Sequence, residues 1–119
     1  MNLIYHIVTT SDFNRLSEKG FFIPQSLAED GFIHCSYSHQ VCGIANQLYR
    51  NSKELLLLEI DKTLTECSVI DEDLYNLNRD YPHIYGKLPL DAIVAKYPFE
   101  MDSEGLFTLP HGIQGATGK

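Results

Sequence analysis

Three of the five histidines lie in stretches that otherwise have the composition of a protein core. They are His6 in IYHIVT, His34 in DGFIHCS and His83 in YPHIYG. A histidine among apolar neighbours is partly desolvated, and a buried imidazole needs hydrogen-bond partners. One shared cleft explains three such residues more simply than three separate burials do. We therefore predict that His34 and His83 lie on the wall of one cleft with His6 near its base. The alternative at each position is a hydrogen-bonded core histidine.

The surroundings of His34 favour a role in chemistry. Gly31 permits a close approach of the backbone, and Ser36 places a hydroxyl on the same face of the predicted strand as His34. An imidazole can exchange protons near neutral pH, so it suits acid–base catalysis or contact with a phosphate. We take His34 and His83 as catalytic candidates and Ser36 as a ligand-binding candidate.

The phrase YPHIYG is predicted to form a stiff, irregular loop. Pro82 restricts Tyr81 to extended geometry, and loops on a rigid scaffold are where sites are often built. Tyr81 and Tyr85 flank His83 and suit a flat ring held between aromatic faces, with Gly86 beside them. The alternative is a loop whose aromatic side chains pack for stability.

Four carboxylates are candidates for a charge-stabilising role in the same cleft. Glu59 lies in the apolar run LLLLEID, where a carboxylate must be paired or face a cleft. Asp71, Glu72 and Asp73 form an acidic cluster shortly before YPHIYG, and one of them turned inward would steady a developing cation. The alternative for the cluster is a solvated loop.

Two further kinds of chemistry were weighed against this site. Cys35, His39 and Cys42 stand at i, i+4 and i+7, but Cys35 belongs to a predicted strand, and a structural zinc needs four ligands in paired short spacings. We expect no metal. A nucleophilic pair of Cys35 with His6 or His83 is the second alternative, although buried cysteines are usually inert.

Composition bounds the class of protein. The 119 residues, 44% hydrophobic and 21% charged, indicate one globular domain over residues 1–110, followed by a flexible Gly-rich tail over residues 111–119. Three cysteines without a C-x-x-C pattern and an N-terminus without an export signal predict a cytoplasmic location. No apolar run reaches the ~20 residues of a membrane span.

Charge bounds the class of partner. The net charge is −7 at pH 7, and the nine Lys and Arg residues are scattered singly. Binding to duplex nucleic acid depends on neutralising phosphates, so this chain is not expected to bind it. A small ligand that carries one or two phosphates remains compatible with the charge.

The order of elements predicts an α+β fold with about five to seven strands and two short N-terminal helices. Strands are predicted in LIYHIVT, FIHCS, ELLLLEID and DAIVAKYPF, with ELLLLEID buried on both faces. The first helix is predicted to start after Thr10 or Ser11 and to end at Gly20, followed by a turn in SLAED. The second helix is predicted to start at Ser36 or Ser38 and to carry an apolar stripe from Val41 to Tyr49. A turn is predicted at Glu104-Gly105.

The phrases IYHI, DGFIHCS, YPHIYG and DSEGLFTLP, in this order and spacing, resemble a bacterial family known as domain of unknown function 952. The resemblance covers nearly the whole chain. That family has been grouped with the ADP-ribosyltransferase-like superfamily, which implies a split, mixed or antiparallel β-sheet around a nucleotide cleft and NAD as a substrate. It further implies that Tyr5-His6 contacts the NAD ribose and that Tyr85 or Tyr81 stacks on nicotinamide.

The superfamily usually adds a glutamate on a late strand, and no residue here matches that element. Glu59, Asp71, Glu72 and Asp73 are candidates by chemistry alone. The function expected from this resemblance is NAD-dependent ribosyl or phosphate transfer on a nucleotide-like small molecule. The alternatives are a binding module without catalysis and an interaction protein with a degenerate site.

Overall fold

A computed structural model describes residues 2–113 as an α+β fold of three helices and three small antiparallel sheets. The helices are α1 (Thr10–Arg15), α2 (Gln25–Asp30) and α3 (Ser38–Leu48). The strands are β1 (Leu3–Thr9), β2 (Ser17–Glu18), β3 (Phe21–Phe22), β4 (Ile33–His34), β5 (Leu55–Asp61), β6 (Val69–Glu72), β7 (Tyr81–Ile84), β8 (Leu88–Pro89) and β9 (Ile93–Phe99). Short 3₁₀ turns at Lys62–Leu64 and Leu90–Ala92 precede β6 and β9. The predicted α+β class is confirmed.

The first sheet has the order β1-β5-β9 and separates two apolar cores. Its central strand β5 is the run LLLLEID, and Leu57 and Leu58 are both fully buried. Because successive side chains of a strand point to opposite faces, Leu58 joins one core and Leu57 the other. The same alternation puts Ile4 in the first core and Tyr5 in the second. The prediction of a strand buried on both faces is confirmed.

The first helix is shorter than predicted. It ends at Arg15 instead of Gly20, because Ser17–Glu18 pairs with Phe21–Phe22 in a hairpin. Lys19 and Gly20 form the hairpin turn with φ of 53° and 86°. The N-cap is Thr9, whose Oγ1 accepts a hydrogen bond from the Asp12 N–H at 3.1 Å, and not Thr10 or Ser11.

The stretch SLAED, predicted as a turn, belongs to helix α2. Gly31 ends this helix in the left-handed region, with φ of 87°. Three helices therefore precede residue 49, and the prediction of two was wrong. Helix α3 begins at Ser38 with Tyr37 as its N-cap, and its apolar stripe buries Val41 and Ala45.

The phrase YPHIYG does not form the predicted loop. Tyr81–Ile84 is the central strand of a sheet with the order β4-β7-β6. Pro82 lies inside this strand, and its carbonyl accepts a hydrogen bond from the Cys35 N–H at 3.1 Å. The extended geometry that proline imposes on Tyr81 is compatible with a strand, so the prolines were the wrong evidence for a loop.

Sheet topology agrees with the antiparallel alternative of the prediction. Every pairing between the named strands of residues 2–113 is antiparallel, but the strands form three separate sheets. Nine strands replace the predicted five to seven because β2, β3, β4 and β8 have only two residues each.

The turn that was predicted near the C-terminus is present. Met101 pairs with Phe107 across the turn at Glu104-Gly105, and Ile113 packs in the second core at 9% exposure. Residues 114–119, the remainder of the predicted tail, lie outside the described residues. No helix among residues 2–113 is long and apolar enough to cross a membrane.

Candidate functional site

A cleft of about 550 Å³ opens along the free edge of β1. The end of α3, the start of α2 and the β4–β7 pair form its other walls, and most of its lining is apolar or aromatic. His6, His34 and His83 all line it. The backbones of Tyr5 and Ser36 exchange two hydrogen bonds of 2.8 Å at this edge, so the backbone of Ile7, two residues further, points to the cleft.

His34 and His83 come together because β4 pairs with β7. They are direct partners in the antiparallel register, which places both imidazoles on one face of the sheet. Their ring centroids are 5.6 Å apart in an edge-to-face arrangement. Phe32 lies on the same face and packs against both rings, at 4.7 Å from His34 and 4.3 Å from His83.

The orientation of His83 is set by Glu72 on the neighbouring strand β6. The buried ring donates from Nδ1 to the Glu72 carboxylate at 2.9 Å, and the Tyr85 hydroxyl donates to the same carboxylate oxygen. The bond from Tyr85, followed by the bond from His83, lowers the pKa of Glu72. With Nδ1 occupied, Nε2 of His83 is the nitrogen left with a lone pair.

That nitrogen is open to the cleft. Among the side-chain N and O atoms of residues 2–113, only Ser26 Oγ is both fully buried and without a hydrogen-bond partner. Nε2 of His83 makes no hydrogen bond to residues 2–113, so it must retain contact with solvent. His83 is only 2% exposed and lines the cleft, from which we infer that Nε2 faces the cleft.

His34 has a carboxylate partner of its own. Its Nε2 lies 2.9 Å from Oδ2 of Asp30, the last residue of α2, and the turn at Gly31 brings Asp30 back to it. The other ring nitrogen, Nδ1, makes no hydrogen bond within residues 2–113. Sequence reasoning missed Asp30, although it stands four residues before His34 in DGFIHCS. The site thus contains two imidazoles, each held by one carboxylate.

His6 contributes a different group to the cleft. Its Nδ1–H donates to the His34 carbonyl at 2.6 Å, and its ring packs on Phe22 with centroids 5.6 Å apart. Burial lowers the pKa of His6 to about 4, so the ring is neutral near pH 7. Nε2 of a neutral ring that donates from Nδ1 is an acceptor, suited to a ligand hydroxyl or N–H.

Two tyrosines supply aromatic faces. Tyr81, a predicted ligand-binding residue, lines the cleft from the start of β7. Tyr75, which sequence reasoning missed, lines it from the loop between β6 and β7 and is 56% exposed. The Tyr75 ring lies nearly parallel to that of His34, with centroids 6.5 Å apart and planes at 21°. The signal for Tyr75 was an apolar set, Leu74, Tyr75 and Leu77, within a polar segment.

Tyr5 and Ser36, both predicted to bind ligand, line the cleft, but the Tyr5 hydroxyl is bonded within the protein. The Tyr5 ring packs in the second core, and its hydroxyl donates to Glu59 at 2.8 Å. Desolvation and this bond raise the pKa of Tyr5. Ser36 is buried and lines the cleft beside Tyr5.

Tyr85 and Gly86 are not part of the lining. The Tyr85 hydroxyl instead donates a hydrogen bond to the Glu72 carboxylate. Gly86 is packed against Cys67, because a Cβ added at Gly86 would lie 2.9 Å from the Cys67 Cβ. Close packing therefore explains this glycine without a ligand.

None of the four predicted carboxylates lines the cleft. Glu59 is bonded to Tyr5, Asp71 accepts a bond of 2.7 Å from the Tyr37 hydroxyl, and Asp73 accepts from backbone amides of its own loop. Glu72 is connected to the cleft only by its hydrogen bond to His83, which lines it. The carboxylate in the lining is Asp12, which is paired with Arg15 at 2.9 Å and was not predicted.

The thiol and metal alternatives gain no support. Burial raises the pKa of the Cys35 thiol, which opposes the thiolate that a nucleophile needs. Residues 2–113 contain no group of three or more His, Cys, Asp or Glu side chains placed to hold a metal ion. His39 is exposed and stacks on Tyr37, away from the cleft.

The chain was compared with known proteins. A family model described as "Protein of unknown function (DUF952)" matches residues 7–96. The crystal structure of CC0527 from Caulobacter crescentus is similar, with a TM-score of 0.76 and 25% identity over 89% of this chain and 93% of that chain. The solution structure of CC0527 has a TM-score of 0.68 at 22% identity, covering 89% and 91% of the two chains. No curated protein matches the chain. The similarity supports the fold, and any inference about chemistry has to come from the geometry of the cleft.

Proposed function

Because the chain belongs to the DUF952 family of proteins of unknown function, we propose a function from its cleft: it binds a nucleotide-type small molecule, with a phosphoryl group at His34 and His83. One observation carries this proposal. Three imidazoles each have one ring nitrogen hydrogen-bonded to the protein and the other without a partner among residues 2–113, and all three line one cleft.

The rest of the cleft is suited to the other parts of such a ligand. Its volume of about 550 Å³ falls within the ~300–1,000 Å³ usual for small-molecule sites. The faces of Tyr75 and Tyr81 can stack on a flat base. Nε2 of neutral His6 accepts a ribose hydroxyl, and the free imidazole nitrogens of His34 and His83 contact the phosphoryl oxygens.

Chemistry at phosphorus is favoured over chemistry at the ribose. Transfer at the anomeric carbon develops positive charge that a fixed carboxylate must stabilise, and the carboxylate in the lining, Asp12, is paired with Arg15. Two imidazoles on one wall can instead serve as the acid and the base in a reaction at a phosphoryl group. The reaction class that we propose is therefore phosphoryl transfer or hydrolysis.

An ADP-ribosyltransferase-like activity on NAD is the second candidate. One observation favours it: His6 lies on the first strand with an acceptor nitrogen open to the cleft, where it would hold the NAD ribose. In that case Asp12, the carboxylate in the lining, would have to act at the anomeric carbon. A third candidate is binding without turnover, which uses the same contacts.

Ligand-induced stabilisation tests the proposal, because a ligand that binds only the folded state raises Tm by mass action. We expect AMP, ADP-ribose or NAD at millimolar concentration to raise Tm, and adenosine to raise it less. His34→Gln should remove most of the difference between AMP and adenosine, whereas the matched control His39→Gln, on an exposed histidine outside the cleft, should retain it. No shift with any of these ligands, or an equal shift in both variants, would contradict the proposal.

A further inference from the structure

The charges around the cleft restrict what anion it can hold. No Lys or Arg is among the lining residues, all of which lie within residues 2–113, and the carboxylate in the lining, Asp12, is paired with Arg15. His6 stays neutral near pH 7 because burial lowers its pKa to about 4. The imidazoles of His34 and His83 are therefore the groups of the cleft that are left to contact an anion. With no cationic side chain in the lining, we expect a singly charged phosphodiester to bind at least as well as a phosphomonoester, which carries two charges.

A phosphodiester carries a single negative charge, and two observations restrict its kind. The scattered Lys and Arg residues give no path along which a polynucleotide backbone could lie. The cleft volume of about 550 Å³ has room for one small ligand beside Tyr75, Tyr81 and the edge of β1. A phosphodiester confined to one nucleoside is a cyclic nucleotide.

The two imidazoles are spaced to act on one phosphoryl group. Their ring centroids are 5.6 Å apart and both rings line the same cleft, so one phosphoryl group bound in the cleft can contact both. Each ring has one nitrogen fixed by a carboxylate, Asp30 for His34 and Glu72 for His83. The free nitrogens, Nδ1 of His34 and Nε2 of His83, are left for proton transfer to and from the substrate.

We propose that His34 and His83 form an acid–base pair that hydrolyses a nucleoside cyclic phosphodiester, a step that rests on the ligand class proposed above. One neutral imidazole takes a proton from water as the water oxygen forms a bond to phosphorus. The P–O bond to one ribose oxygen breaks, and the other ring, as imidazolium, gives its proton to that oxygen. Water is consumed, a nucleoside monophosphate is formed, and the two rings exchange protonation states, which solvent restores.

Glu72 is a positioning residue in this scheme. It holds the proton of His83 on Nδ1 and so leaves the Nε2 lone pair toward the cleft, while Tyr85 holds Glu72 from the other side. Asp30 does the same for the more exposed His34. The other ionisable groups that line the cleft are His6, Asp12, Cys35 and the tyrosines Tyr5, Tyr49, Tyr75 and Tyr81.

The test is turnover of nucleoside 2′,3′-cyclic and 3′,5′-cyclic monophosphates by the purified chain, followed by ³¹P NMR from pH 5 to 9. We expect hydrolysis of at least one isomer with a bell-shaped pH profile, reduced roughly 10²–10⁴-fold in His34→Gln and His83→Ala. Glu72→Gln should lower kcat with little change in KM and should displace the limb of the profile that reports His83. The control His39→Gln should keep the full rate.

The outcomes separate this inference from the proposed function. Hydrolysis that persists in His34→Gln would overturn it, and this variant serves even if His83→Ala does not fold, because His34 is partly exposed. No hydrolysis by the wild-type chain over hours, with AMP binding at His34 intact, would overturn the inference and leave the binding proposal standing. No hydrolysis and no binding would overturn both.

Discussion

His6 shows how a single half-buried imidazole links the fold to the site. Its Nδ1–H is bonded to the His34 carbonyl, and burial lowers its pKa to about 4 from an ordinary value near 6.5. Between those two pH values, the His6 side chain is therefore protonated in the unfolded chain and neutral in the folded chain. The stability that this represents is present above pH 6.5 and is lost as pH falls toward 4.

A comparison of variants isolates this effect. In His6→Phe, the free energy of unfolding should fall less between pH 7 and pH 4 than in the wild type, by about 3 kcal/mol. Urea unfolding at both pH values measures the difference, with His39→Phe as the control that follows the wild type. Parallel pH dependence in wild type and His6→Phe would show that the His6 ring accepts a proton in the folded state.

Gly86 was predicted to bind ligand, but its surroundings explain it by packing. A Cβ there would lie 2.9 Å from the Cys67 Cβ, so Gly86→Ala should destabilise the fold by about 1–3 kcal/mol while leaving ligand affinity unchanged. Gly43 in α3 has no atom within 4 Å of its would-be Cβ, and Gly43→Ala should stabilise by about 0.5–1 kcal/mol. Denaturant unfolding measures the stability of each variant, and a ligand titration measures the affinity of Gly86→Ala. A Gly86→Ala protein of normal stability that has lost binding would restore the predicted role.

At the scale of single residues, sequence reasoning located the three histidines but not their partners. The apolar neighbours of His6, His34 and His83 are visible along the chain. The Glu72–His83 contact depends on the pairing of β6 with β7, which no local pattern specifies. Tyr75 was missed for the same reason, because only the fold brings its loop back over His34.

Among the elements, the loop between β6 and β7 carries the most specific expectation. The Asp73 carboxylate accepts bonds of 2.9 and 2.8 Å from the Leu77 and Asn78 amides, which holds the loop in shape and sets the position of Tyr75. In Asp73→Ala we expect faster amide exchange in the loop and several-fold weaker ligand binding with little change in Tm. Asp80→Ala, in the same loop, is the control. Unchanged exchange and affinity in Asp73→Ala would show that these bonds do not position Tyr75.

Long periodic segments were predictable and short ones were not. β1, β5 and β9 have seven residues each and were read correctly from apolar and β-branched runs. The two-residue strands and the six-residue helix α2 exist because of tertiary pairing, so local pattern could not reveal them. β7 differs from the prediction because a proline such as Pro82 is compatible with a loop or a strand, and pairing with β4 and β6 places this segment in a sheet.

For the whole molecule, the α+β class and the family followed from the chain, and the arrangement of sheets did not. The predicted single split sheet is replaced by three antiparallel ones, and the site lies where β1 of the first sheet meets β4 and β7 of the third. The bridge between Tyr5 and Ser36 joins these two sheets. This contact joins residues that are 31 positions apart in sequence and helps to form the cleft. The positions of the histidines along the chain could therefore suggest that they share a site, but could not predict the shape of that site.

The central claim is that a nucleotide-type ligand occupies this cleft with its phosphoryl group at His34 and His83. Imidazole ¹H–¹⁵N correlation spectra of the ¹⁵N-labelled chain, recorded as AMP is added, test it most directly. We predict that Nε2 of His83 and Nδ1 of His34 shift progressively, that adenosine moves them less, and that exposed His39 and His111 stay in place. His34 and His83 resonances that do not move at millimolar AMP, or that move no more than those of His39 and His111, would contradict the account.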